Sequence, residues 1–374
     1  MIDLARKILF HDRTRFFITV SGVAFAVTLV FVQVGLFEGL MSSASIAIEK
    51  AGADLWVTAH NTPNIDFSNA FSENLVYRVR SVPGVKRADN LILWFARVTL
   101  PSGATENAEV YGLENFERWN LPWNLIEGDP RDLRRGKFVI LDQSAQKRFG
   151  KFAVGEFREF NGQRLKIIGR TSEAKSFTTT PVAFADYHVA QSLAPELAQR
   201  CTYILVRLEP GADPEAVRHE IERRLPYNDV HVSHRWGSRS RSYWTDSTGL
   251  GLNMAMTVFL GCLVGVVVVA QTLYTSTMEH IKEFATVKAI GGSDGHIYGI
   301  IVKQAVIAGV IGFALGSGMA LLLRPAMASV DLKLIIAPSL AVQVFAGTVA
   351  LCVGASALSF RSIARLDPAL VFRA

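Results

Sequence analysis

Cysteine is scarce in this chain, with three in 374 residues. Cys262 and Cys352 fall in strongly apolar runs. That leaves Cys201 alone in the long polar stretch 41–249, where no internal disulfide can form. The stretch must therefore hold together by its own core, and about 200 residues are enough to build one. Nucleotide-binding and hydrolytic motifs are missing too. No G-x-x-x-x-G-K-[ST] occurs, and "GGSDG" (Gly291–Gly295) lacks the Lys that reaches phosphates and follows a helical pattern rather than opening one. G-x-S-x-G, H-E-x-x-H and paired-Cys motifs are absent. His231 and His234 in "HVSH" lack further ligands at metal spacing; they are expected at the surface, with no metal site. The acidic residues of 41–249 show no local pairing that suggests acid–base work. A membrane-bound enzyme thus has no residue set behind it, and no cofactor is expected on this chain.

Charge is the third shortage, and it is local. Mean hydropathy is +0.25, but the apolar residues concentrate at 16–40 and 250–360. A bilayer core about 30 Å thick needs about 20 apolar helical residues. Four segments qualify: 16–40, 250–276, 297–323 and 339–360. The first has features of a signal peptide, with Arg6, Lys7, Arg13 and Arg15 before it and Ser45–Ala47 after it. Its apolar run is too long for one, since signal h-regions span about 7–15 residues. No chain of Asp, Glu or His runs through the four segments, so proton coupling has no carrier, and Lys303 lies close enough to an end to snorkel. If the protein moves anything, a partner must supply the work.

The fold class expected is an α-helical membrane protein with four spans and a large α+β domain, 41–249, inserted between the first two. Lys and Arg set the orientation. Arg6, Lys7, Arg13 and Arg15 flank span one, Lys282 and Lys288 lie between spans two and three, and Arg361, Arg365 and Arg373 follow span four. The loop 324–338 has only Arg324 and Lys333. Both termini and the loop 277–296 are then cytoplasmic, and the insert is extracytoplasmic. The formal charge of +6 belongs mostly to these flanks and gives no nucleic-acid surface.

Within the insert, "ADLWVTA", "FARVTLP", "AEVYGLE", "KFVILD", "REFNGQRLKIIGRT", "PVAFADY" and "TYILVRL" have strand composition. "DPEAVRHEIERRLP" is an amphipathic helix with Asp213 as N-cap, Pro214 at N1 and a buried face at Val217, Ile221 and Leu225. "SENLVYRVRSVPGV" and "LDQSAQKRFG" are two more helices, the latter stopped by Gly150. The alternation argues for α+β layers. Before span two, Arg235, Trp236, Arg239, Arg241, Tyr243 and Trp244 form a basic-aromatic strip of the kind that anchors at a lipid interface; a lipid portal is the sharper alternative. In span three, Gly309, Gly312 and Gly316 suit close helix packing, with another span of the same chain as neighbour.

Between spans two and three lies "MEHIKEFATVKAIGGSDGHI". Ile281, Phe284, Val287 and Ile290 make one apolar stripe, and Glu279, Lys282, Glu283, Thr286 and Lys288 fill the other faces. A short helix of this kind can dock in a partner's groove or lie on the inner leaflet as a connector. Physics alone leaves both open.

"KEFATVKAIGGS" resembles the R-E-x-G-x-x-[KR]-A-[IL]-G-A signature of FtsX-like permeases, the membrane subunits of MacB-type (type VII) ABC transporters. "RRGKFVILDQSAQKRFGKFAVGEFREFNGQRLKIIGRT" is similar to the family's periplasmic-core pattern, "RLDPALVFR" to its closing motif, and residues 1–15 to its N-terminal surface helix. The order of these motifs covers essentially the whole chain. The "ADLWV" opening of the insert and the lack of a fused ATPase look most like DevC-type permeases. The chain departs at Ala285, where the family has Gly; Ala suits a helix better by about 1 kcal/mol but permits a less close approach.

The resemblance implies a multi-pass protein of the bacterial inner membrane and two permease copies per complex, as a homodimer. It implies a separate LolD/MacB-like ABC ATPase, carrying ATP and Mg, docked through Glu283, Phe284, Val287, Lys288, Ile290 and Gly291. A membrane-fusion adaptor and a TolC-like outer-membrane channel complete a DevC-type exporter, with membrane lipids around the spans. The alternative function is an FtsX-like subunit that regulates a cell-wall hydrolase without transport.

Overall fold

The computed structural model describes residues 13–177, 180–281, 283, 286, 293–330 and 332–363. They form two units: an inserted domain, Leu40–Leu250, and a helical unit built from the chain on either side of it.

The helices are α1 (Arg13–Ala51), α2 (Leu75–Arg80), α3 (Ala145–Phe149), α4 (Tyr187–Ser192), α5 (Pro214–Arg224), α6 (Ser233–Ser242), α7 (Leu250–Glu279), α8 (Asp294–Ser329) and α9 (Pro338–Ile363). The strands are β1 (Leu55–Ala59), β2 (Phe71–Ser72), β3 (Val85–Thr99), β4 (Thr105–Leu113), β5 (Leu125–Glu127) and β6 (Phe138–Asp142). They continue as β7 (Phe157–Phe160), β8 (Gln163–Thr171), β9 (Val182–Asp186), β10 (Arg200–Cys201), β11 (Tyr203–Leu208) and β12 (Asn228–Val232).

One mixed sheet organises the inserted domain, in the order β12-β1-β11-β3-β4-β9-β6-β8-β5, with β7 paired to β3 and β8. The β4–β9 and β6–β8 pairs are parallel and the other pairs antiparallel. Side chains alternate across a strand, so a sheet covered on both faces needs apolar residues at successive positions. The strands meet that demand. Leu55, Val57, Ile204, Val206, Ala183 and Ala185 enter one core, while Trp56, Tyr203, Leu205, Val182 and Phe184 enter the other. The first core is closed by Val76 and Val79 of α2, Phe149 of α3, Tyr187 of α4, and Val217 and Ile221 of α5. The second is closed by Ala47, Ile48 and Ala51 at the end of α1, by loop aromatics such as Trp119 and Trp123, and by Trp236 of α6. Full burial of one such side chain stabilises by about 1.5–3 kcal/mol.

α5 forms as its sequence demands: the Asp213 side chain accepts from Glu215 N–H, Pro214 opens the first turn, and Val217, Ile221 and Leu225 are buried. α3 stops at Gly150, whose φ of 75° is costly for any residue with a Cβ. Three expectations need correction. β3 starts at Val85, well before Phe95, because Asp89 and Asn90 find partners inside the fold. "SENLVYRVRSVPGV" is helical only over Leu75–Arg80, since the chain turns into β3 after Pro83-Gly84. "REFNGQRLKIIGRT" is a hairpin rather than one strand, with Asn161 and Gly162 at φ of 44° and 79° making its two-residue turn.

In the helical unit, residues 13–39 of α1 pack with α7, α8 and α9, all long and apolar enough to cross a membrane. The chain is a multi-pass membrane protein with four candidate spans. Its inner contacts use Val23, Val27 and Phe31 of α1 against Val269 and Leu273 of α7, Ile301 and Ala305 of α8, and Cys352 and Ala355 of α9. Large apolar side chains point outward instead, among them Phe259, Leu263, Leu322 and Val342. Hydrocarbon accepts them, while the helical backbone satisfies its own hydrogen bonds.

Candidate functional site

Three groups of residues carry the functional expectations. The first is the loop between α7 and α8. Glu279, at the end of α7, is ion-paired with Arg15 near the start of α1. His280 Nδ1 lies 2.6 Å from a Glu283 carboxylate oxygen. Ser293 caps α8, its hydroxyl accepting from His296 N–H at 3.3 Å. Of the docking set, Glu283 alone is described; Phe284, Val287, Lys288, Ile290 and Gly291 lie outside the described residues, as do residues 1–12 of the surface helix and the tail from 364.

The second group is the glycine row of α8. A Cβ on Gly312 would sit 2.6 Å from Val23, and one on Gly316 would sit 2.6 Å from the Ala24 carbonyl and 2.8 Å from Val27. Thr28 Oγ1 donates to the Gly316 carbonyl at 3.1 Å. Gly312 and Gly316 thus bring α8 against the backbone of α1, while Gly309 faces Cys352 of α9. Gly261 and Gly265 of α7 meet Leu29 and Ala26 of α1 in the same way.

The third group is the strip before α7. α6 is followed by a π-helical turn, Tyr243–Ser247. Trp236, Ser240 and Trp244 fall at i, i+4 and i+8, and all three are buried in the inserted domain. Trp236 stacks on His231, with ring centroids 4.5 Å apart and planes 5° apart. Trp244 stacks on Phe177 at 3.9 Å. Both indoles are therefore core residues rather than headgroup anchors; His231 is half-buried, and His234 is exposed. Burial and the nearby Arg239 charge lower its pKa to about 4, so it is neutral at ordinary pH. Arg235 pairs with Glu215 at 2.7 Å, and Arg241 pairs with Glu49 at the same distance. Arg239 is exposed and Tyr243 half-exposed, packed edge-on against Phe67. The four-residue spacing of the two Trp and Ser240 is the sequence signal that composition obscured.

Trp244 leads to a cluster that has no local signature. Its indole N–H donates to Asp66 at 3.2 Å. Asp66 is electrostatically coupled to Glu109, which lies on β4 in "AEVYG" and is fully buried. The Tyr111 hydroxyl donates to Glu109 Oε1 at 3.4 Å, and the Ser176 side chain is a further hydrogen-bond partner of the carboxyl. Burial, and next the Asp66 charge, hold Glu109 well above the usual carboxylate range. Burial raises Asp66 to about 6, against the opposing hydrogen bond from Trp244. The cluster joins the 60–70 loop, β4 and the turn preceding α7. The two acids are far apart in sequence and only the fold pairs them.

Residues 16–224 match the family model of the MacB-like periplasmic core domain, over half of the chain, and residues 255–368 match that of the FtsX-like permease C-terminal region. An uncharacterized ABC transporter permease of Mycobacterium bovis is 22% identical over 354 residues, covering 94% of this chain and 93% of that one. Another, from Mycobacterium tuberculosis, is 22% identical over 355 residues with the same coverage. Among solved structures, the periplasmic region of MacB from Actinobacillus actinomycetemcomitans aligns with a TM-score of 0.39 at 13% identity, over 50% of this chain and 92% of that one.

Proposed function

The chain belongs to the MacB-like, FtsX-like ABC transporter permeases, and from that premise we propose that it is the coupling subunit of an exporter: a membrane subunit that does no catalysis and converts ATP hydrolysis in a separate ATPase into movement of its extracytoplasmic domain. The observation that carries this reading is the division of labour along the chain. Along the chain, four membrane-length helices, without a chain of ionisable groups among the described residues, are interrupted after the first by one large inserted α+β domain. Such a molecule has a place for work to be delivered and a place for it to be used.

The orientation follows from the Lys and Arg bias: both termini and the 277–296 loop in the cytoplasm, the inserted domain outside the inner membrane. The loop docks the ATPase, with Phe284, Val287 and Ile290 in its groove and Glu283 and Lys288 at the rim. A second permease copy completes the membrane part. A fusion adaptor and a TolC-like channel complete a DevC-type route to the outside. The exported substrate is a lipid, a lipoprotein or a hydrophobic compound.

The test is purification of the full chain in mild detergent from cells expressing its operon partners. Recovery of an ABC ATPase and a fusion adaptor is expected. Recovery of a cell-wall hydrolase in place of the adaptor would replace export by FtsX-like regulation. Phe284→Ala should remove the ATPase from the purified complex, because loss of a buried aromatic anchor costs about 2 kcal/mol or more. Full retention of the ATPase with normal coupled turnover would reduce the loop to a connector.

A further inference from the structure

The inserted domain has a half-open polar cavity of about 550 Å³ that the export reading leaves without a role. Four cationic side chains line it: Lys86 and Arg87 at the start of β3, Arg118 in the loop after β4, and Arg207 near the end of β11. Asn120 adds a neutral amide, and the acids on the lining are Asp54 and Glu209. The count is four positive against two negative.

Arg207 and Arg87 are direct cross-strand partners on β11 and β3. Like charges placed opposite one another on antiparallel strands destabilise the pair. The available acids relieve this poorly. Asp54 Oδ2 lies 3.8 Å from Arg207 Nε and already accepts from Leu208 N–H at 2.8 Å. Arg207 Nε is buried without a hydrogen-bond partner. The buried Asp89 pairs with Arg80 at 2.9 Å and accepts from the Trp119 indole at 2.9 Å, leaving Arg118 at 3.5 Å. Arg87 donates to the Arg118 carbonyl at 3.0 Å, which leaves its charge uncompensated. Lys86 is exposed and makes no ion pair among the described residues. Asn120 Nδ2 and Arg207 Nη2 also converge: a Cβ on Gly52, at φ of 71°, would lie 2.7 and 2.8 Å from them. Gly52 is the residue that leaves room for both donors.

We propose that this cavity is a binding site for a phosphoryl group carried on a larger molecule. Guanidinium forks present paired N–H donors at the spacing of phosphate oxygens, and a doubly charged phosphate balances the excess of two positive charges. The cavity is several times larger than a phosphate ion, so the rest of the ligand has space beside the anion. The bearer is either a soluble phosphate ester or the headgroup of an anionic lipid. The site does not depend on an adaptor or on export, so it stands or falls separately from the proposed function.

The experiment uses the full chain in detergent and in lipid nanodiscs, with Lys86→Gln/Arg87→Gln as the variant. Lys86 is exposed and Arg87 half-exposed, and removing Arg87 relieves its repulsion with Arg207. The ligand-free variant is therefore expected to melt at the same temperature as the parent or higher. Pyrophosphate should bind the parent at low ionic strength, raise its melting temperature, and bind the variant at least tenfold more weakly. Binding of glycerol 3-phosphate in solution assigns a soluble ester. Binding to nanodiscs containing phosphatidate, with none for glycerol 3-phosphate, assigns a lipid headgroup; both results support the site. It is overturned if none of the three binds, if the variant binds them as tightly as the parent, or if an oligoglutamate peptide binds where all phosphates fail.

Discussion

The inserted domain and the helical unit differ in which side chains make their close contacts. In the domain, Phe184 is fully buried among Tyr111, Phe116 and Trp123. In the helical unit, Phe259 of α7 is 65% exposed, and the close contacts fall to Gly, Ala and Val. Water drives large apolar side chains into the domain core. Hydrocarbon provides no such drive between helices, so close approach of small residues decides the packing. The Trp residues sharpen the contrast: all six of them, Trp56, Trp94, Trp119, Trp123, Trp236 and Trp244, lie in the inserted domain, so Trp fluorescence reports on that domain alone.

The largest expected effect tests that contrast. Phe184→Ala should destabilise the inserted domain by about 3–5 kcal/mol, the usual result of removing a buried ring. Phe259→Ala should leave the fluorescence-detected unfolding midpoint unchanged and the detergent-solubilised yield intact. Comparable losses from the two variants would end the distinction between the units.

The next effect is nearly as large and belongs to the domain alone. Asp66 has its pKa raised from 3.8 to about 6 in the folded state. The folded protein therefore holds that proton more tightly than the unfolded chain. Its contribution is fully present below about pH 4 and is lost as pH rises through about 6; a shift of about two units corresponds to about 3 kcal/mol. Glu109, also raised by burial and by the Asp66 charge, acts in the same direction. The fluorescence midpoint should fall between pH 4.5 and 7.5, and Asp66→Asn should flatten that fall. A midpoint that rises over this range would reverse the assignment.

Where sequence reasoning succeeded and failed follows the same contrast. The four long apolar helices and the α+β domain between the first two were readable because length and apolarity are enough to mark a membrane helix. Strands such as β6 and β11 were readable because successive apolar residues served two cores. The first part of β3 was not. It contains Arg87, Asp89 and Asn90, and a central strand tolerates them because Asp89 meets Arg80 and Trp119 while Asn90 donates to the Glu73 carbonyl. Those partners come from distant segments. Trp236 and Trp244 were misplaced because nearby arginines suggested a lipid surface, whereas their helical spacing set their direction. The Asp66–Glu109 pair has no local mark beyond one Glu in an apolar strand. The family resemblance found the permease through motif order, which no single motif specifies.

A middle-sized effect probes the helical unit. Gly316→Leu forces a side chain onto the Ala24 carbonyl and Val27, and overpacking of this kind costs about 1–3 kcal/mol. Folded yield in detergent should fall while the Trp midpoint stays put. Gly347→Leu on α9 is the matched control, since a Cβ there meets nothing within 4 Å. Its yield should equal that of the parent; equal losses from both would mean that any bulk on a span is harmful and that the α1–α8 contact is not special.

The smallest effect concerns how helices start in the two units. Asp213 caps α5, an 11-residue helix in which the first-turn N–H groups otherwise have only water, and the side chain accepts from Glu215 N–H at 3.1 Å. Loss of such a cap costs about 1 kcal/mol. Ser293 caps α8, a 36-residue helix, through His296 N–H. There the hydrocarbon already enforces the helix, because every unpaired backbone group inside it is costly. The end of a helix held in this way contributes less than the end of a short one held by a single apolar face. Asp213→Ala should lower the fluorescence midpoint by a few degrees, and Ser293→Ala should change neither the midpoint nor the folded yield. A larger loss from Ser293→Ala than from Asp213→Ala would show that the α8 terminus is held by its cap rather than by the span behind it.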